Sequence, residues 1–129
     1  MDTRTPKLWH PERKISETFL QFAAPLLRDL PSEAPETRAR EALLVAYTIW
    51  NAVVFADVAE DQRHLNQIRN VNASRPELGI LTEQMIARKR ALFGDDERLI
   101  GLWELTTTFE GFRLRADARD PRAVPNAPE

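Results

Sequence analysis

Asp57, Glu60, Asp61 and His64 fall at i, i+3, i+4 and i+7, so a helix through them carries three carboxylates and an imidazole on one face. A carboxylate three residues before a histidine is half of a carboxylate-bridged dimetal site. The other half needs a second such pair, and the other histidine, His10, sits beside Pro11 in a stretch with no helical period. The expectation is a polar, solvated face with no bound metal. A metal-dependent enzyme built on Asp57, Asp61 and His64 stands as the second alternative. Asp95-Asp96-Glu97, just after Gly94, sets three acids on a turn, but without the length and alternating oxygen ligands of a calcium loop. A solvated turn is expected there too. The glycines, at 79, 94, 101 and 111, match neither dinucleotide-binding nor phosphate-loop spacing. There is no G-x-S-x-G elbow and no H-E-x-x-H. The sequence therefore predicts no catalytic residue, no cofactor and no enzyme.

Two sets of residues point instead to binding. Arg113, Arg115 and Arg119 project from the C-terminal region, with Arg122 beyond them and Arg88, Lys89 and Arg90 earlier, and such a set could track a phosphate backbone. No aromatic residue interleaves with them on that face to stack bases, and Glu104 and Asp117 lie near enough to neutralise part of it. Net charge is −2, far from the basic balance of a nucleic-acid binder, so that function is the first alternative rather than the preferred one. The tryptophans, Trp9, Trp50 and Trp103, are the candidate anchors of a protein interface.

The chain is 129 residues long, which suits one domain with its own core. It has no cysteine, so disulfides, thiolate metal sites and a thiol nucleophile are excluded. No apolar segment follows the N-terminal residues, so no secretory signal is read, and the expected location is the cytoplasm. Residues 1–14 are expected to be a loose lead-in, 15–119 one globular domain and 120–129 a flexible proline-rich tail.

What must position these residues is a set of helices around one apolar stretch. Ala42 to Ala56 runs fifteen residues without a charge, in a chain of which 29% is charged. It is too long for an ordinary strand and too short for a membrane span, so it predicts a central buried helix, about 37–57, apolar nearly all round. A first helix should start at Ser16 and carry Phe19, Phe22, Ala23, Leu26 and Leu27 inward, with Pro25 kinking or splitting it. Ser32 or Pro35 should open the second. A thinner stripe, Val58, Leu65 and Ile68, suggests a more exposed third helix. Ser74 with Glu77 has capping-box spacing for a fourth, which Gly94 should end in the left-handed conformation.

After residue 97 the period becomes two. Strands about 98–108 and 111–118 are expected to form an antiparallel hairpin around Glu110-Gly111, pairing Phe109 with Phe112 and Leu105 with Ala116. That register puts Trp103, Leu105, Phe109, Phe112, Leu114 and Ala116 on one face. The fold class is thus α+β: three to four helices around a central buried helix, then a C-terminal two-stranded hairpin. Two strings, Lys14 to Leu27 (KISETFLQFAAPLL) and Arg88 to Ile100 (RKRALFGDDERLI), resemble short, uncharacterised bacterial proteins of unknown function. That resemblance implies no catalytic or binding residue. The preferred function is a small non-catalytic protein that acts by contact with a protein partner and associates as a homodimer, with no membrane role.

Overall fold

The computed structural model describes residues 14–28, 30, 33–109 and 111–122. Trp9, most of the expected lead-in, Ser32 and all but the start of the expected tail lie outside them. Four helices precede a two-stranded antiparallel sheet: α1 (Ile15–Leu27), α2 (Pro35–Val58), α3 (Arg63–Val71), α4 (Pro76–Leu92), β1 (Leu99–Thr108) and β2 (Gly111–Arg119). The α+β architecture, the central helix and the C-terminal hairpin are those the sequence predicts.

α1 begins one residue before Ser16, with Lys14 at the N-cap and no side-chain cap. The reason is Ile15, which is buried and extends the inward stripe of Phe19, Phe22 and Ala23 by one turn. The helix runs unbroken to Leu27 with Pro25 inside it. Proline has no N–H for the Gln21 carbonyl four residues back. Arg88 on α4 supplies the donor: its Nη2 meets the Gln21 carbonyl at 2.6 Å and its Nε meets the Phe22 carbonyl at 3.0 Å.

α2 opens with Pro35 as its first helical residue and is the hub of the fold, packed on α1, α3, α4 and β1. Its Trp50 is fully buried, edge-to-face with Phe22 at 5.3 Å and Phe93 at 5.6 Å, and donates its indole N–H to the Arg98 carbonyl at 2.7 Å. The helix is not sealed all round, however. Leu44 is 53% exposed and Val45 41%, beside exposed Thr48. At 24 residues, with a mean hydropathy of 1.4 in its most apolar window, α2 is also long and apolar enough to cross a membrane. The uncharged stretch is shorter than the helix because Glu36, Arg38, Arg40 and Glu41 occupy the first two turns of α2 and Asp57 the last.

α3 is separated from α2 by a turn in which Glu60 takes φ +56. α4 starts at Pro76, so Arg75 is the cap residue and the Ser74–Glu77 box is not used. It stops at Phe93, and Gly94 is not left-handed.

In the hairpin Leu105 faces Leu114, Thr107 faces Phe112 and Thr108 faces Gly111, so the loop is residues 109–110, not 110–111. The pairing differs from the expected one by two residues, and because the side-chain period is also two, the faces survive the shift. Trp103, Leu105, Leu114 and Ala116 point inward, but Phe109 sits fully exposed at the loop and Phe112 is 43% exposed. Further along, β1 carries one extra residue: Ile100 pairs with Ala118 and Trp103 with Ala116, a bulge at Gly101-Leu102 opposite Asp117. A side chain at residue 101 would collide with the Asp117 carboxylate, and Leu102 donates its N–H to that carboxylate at 2.9 Å.

Candidate functional site

The acidic clusters dissolve once placed. Asp57 lies in the last turn of α2 and is held bidentately by Arg90 at 2.9 and 3.0 Å. Asp61 lies beyond the turn and binds Arg63 through both oxygens, and these bonds hold its carboxyl well below the usual carboxylate range. His64, on α3, stacks on Phe55 with ring centroids 4.5 Å apart. The expected single helical face does not exist, because the helix breaks at Ala59 and Glu60. Among the described residues no three of histidine, aspartate and glutamate gather as a metal site would require.

The turn after α4 is likewise not solvated throughout. Asp96 is buried, and both its oxygens accept from Arg98, at 2.9 and 2.6 Å. Arg98 also reaches the Thr18 hydroxyl at 3.3 Å. Lys89 is buried beside it, donating to the carbonyls of Phe93 and Asp96 at 2.8 and 2.9 Å, its ammonium 4.4 Å from the centre of the Trp50 ring. Burial lowers its pKa from 10.5 to about 8, against the opposing field of Asp96.

The arginine set is divided in the same way. Arg88 is committed to α1, Lys89 to the core and Arg90 to Asp57, so these consecutive residues face three directions along α4. Arg113, Arg115 and Arg119 stay exposed on the outer face of β2; Arg115 pairs with Glu104 across the hairpin and Arg119 lies 3.9 Å from Asp117. Of the candidate interface tryptophans, Trp50 is unavailable because its ring is enclosed by the core. Trp103 is half-buried, edge-to-face on Phe19 at 5.6 Å.

The surface feature that these readings did not foresee is a cleft of about 640 Å³ on the outer side of α2, between it, α3 and α4. Leu44, Val45, Phe55, Ile68 and Val71 line it, and among its lining residues there is no aspartate, glutamate, lysine or arginine. Four of its polar side chains, Thr48, Asn51, Asn72 and Thr82, are bonded to one another or to the backbone. Thr48 donates to the Leu44 carbonyl at 2.8 Å, and Asn72 donates to the Thr82 hydroxyl at 2.9 Å. Asn51 uses its whole amide on β1, accepting from the Ile100 N–H and donating to the Ile100 carbonyl, both at 2.8 Å. His64 and Gln67 supply the polar groups at its α3 side. Such a cleft can take apolar side chains and offers few hydrogen bonds to orient a polar substrate. The signal for it was present as Thr48: a polar residue one turn after Leu44 and Val45 marks the side of the helix that meets water.

The hairpin supplies a second surface. Its β1 edge is bonded to α2 at two points: Asn51 takes the Ile100 backbone, and Arg40 donates to the Leu105 carbonyl at 3.1 Å. Among the described residues, nothing covers the β2 edge by hydrogen bonds in that way. No known protein family, curated protein or solved structure matches the chain.

Proposed function

We propose that this protein works by protein–protein contact rather than by catalysis, and that it also associates with itself. The observation that carries the reading is the cleft. Exposed Leu44, Val45 and Val71 border about 640 Å³ of charge-free space, while the ionic groups nearby are paired with one another. A partner helix that lays an apolar stripe into a groove needs such a surface, and reads as anchors at i, i+3 or i+4, and i+7. A library of displayed amphipathic helices tests this. Selected peptides should carry that spacing and lose binding to a Val45→Asp variant, whose fold should be intact because residue 45 is exposed. Selection of peptides without the spacing, or binding indifferent to Val45→Asp, would sink the cleft as the contact site. Sedimentation equilibrium tests the self-association, and a strict monomer at high concentration removes it.

The nucleic-acid reading retains Arg113, Arg115 and Arg119 but loses Arg88, Lys89 and Arg90, which are engaged within the fold. Nothing in the geometry favours it over protein contact.

A further inference from the structure

Self-association leaves open which surface the two copies share, and the hairpin's hydrogen bonding narrows it. In an antiparallel pair, each residue turns both its N–H and its C=O either toward the facing strand or away from it, in alternation. Ile100 gives both groups to Asn51, away from β2, so its partner Ala118 must also turn outward. Leu105 gives its carbonyl to Arg40, so its partner Leu114 turns outward as well. Two observations on either side of the bulge thus agree, and alternation adds Phe112 and Ala116. Among the described residues no group is bonded to these four backbone positions from outside the sheet. β2 therefore presents a row of free donors and acceptors, the surface on which another strand adds.

Resting on the self-association half of the proposed function, we infer that the strand added there is β2 of a second copy, antiparallel, with the two-fold axis at Arg115. Between two copies the charge pattern fits an antiparallel pair and selects its register. With the axis at Arg115, Arg113 of each copy stands opposite Asp117 of the other, twice by symmetry, and only Arg115 meets its like. Each Arg115 already has Glu104 on its other side. Moving the axis by one residue toward Arg113 sets Arg113 against Arg115 twice. Moving it the other way sets Arg115 against Asp117 twice but also Arg113 against Arg119 twice, so its attractive and repulsive pairs cancel. Opposite charges directly across a pair stabilise it and like charges destabilise it, so the centred register is preferred. It also seats half-exposed Phe112 against the small Ala118, and Leu114 against Ala116. Four pairs of outward residues would exchange about eight backbone hydrogen bonds and give a four-stranded sheet.

The absence of native cysteine makes the register directly readable. In the centred register residue 115 faces itself in a pair with no hydrogen bonds, where Cα atoms lie about 4.5 Å apart, within disulfide range. Arg115→Cys should cross-link two copies under mild oxidation at least about tenfold faster than Arg113→Cys, Arg119→Cys or Val45→Cys, because only that sulfur meets its own copy. Ala116→Pro removes an N–H that no intrachain bond uses, so its circular dichroism should be unchanged and its dimer lost. Equal rates at all four positions, a fastest rate elsewhere, or an Ala116→Pro dimer as tight as the parent would overturn the pairing. If such a result comes with a dimer in sedimentation, only the β2 contact falls. A parent protein that is monomeric throughout removes the self-association reading and the pairing with it.

Discussion

Lys89 shows how a single residue can be misread from the sequence. Between Arg88 and Arg90 it looks like part of a basic strip, yet its stem lies in the core and its ammonium is shared by two carbonyls and the Trp50 ring. What decided this was tertiary: α4 turns its Lys89 side toward α2, and the next turn brings the carbonyls of Phe93 and Asp96 within reach. Burial lowers the pKa of the folded form to about 8 from 10.5, so between those pH values the unfolded chain binds more protons than the folded one. Stability should therefore rise as pH increases through 8 toward 10.5, and the relative gain is lost again as pH falls through 8. Urea midpoints measured from pH 7 to 10 check this, and the rise should be absent in Lys89→Met. Asp96 was legible as an acid on a turn, but its burial was not, because Arg98 and Lys89 reach it from positions that only the folded turn brings together.

At the scale of elements, α2 holds the hairpin through Asn51, whose side-chain amide gives Ile100 the two hydrogen bonds a neighbouring strand would have supplied. Asn51→Ala leaves that N–H and C=O without their partner. It should cost about 1–3 kcal/mol by chemical denaturation. Amide exchange at Ile100 should accelerate beyond the global change, and an unchanged rate would mean that the strand edge does not depend on Asn51. Hydrophobic period was enough to place α2, the hairpin and the inward-facing Trp103, Leu105, Leu114 and Ala116. It could not place the loop, since a shift of two residues leaves every face unchanged. Nor could it show the bulge, which depends on Gly101 and Asp117 meeting across the sheet. The helix starts missed by one or two residues because burial of Ile15 and the fixed φ of Pro76 outweighed the capping signals of Ser16 and Ser74.

The whole molecule is tied together by contacts between distant stretches: Arg98 to Thr18, Arg88 to α1, Arg40 and Asn51 to β1. A two-stranded hairpin is marginal in water by itself. It should therefore unfold together with the helices, and indole fluorescence from Trp50 and Trp103 should follow the same denaturation curve as far-ultraviolet dichroism. Separate midpoints would mean that the hairpin is only loosely docked. The cleft was the least legible feature at this scale, because an uncharged helix reads the same whether its last face is covered or left open. The bond from Arg88 to the carbonyls around Pro25 bears on the protein's history as well as its stability. While residue 25 is proline, a side chain at position 88 long enough to reach α1 supplies a donor that the helix backbone lacks. Were an amide-bearing residue to replace the proline first, that donor would be needed less. The two sites, from opposite halves of the chain, should thus be energetically coupled, so that the cost of changing one depends on whether the other has changed.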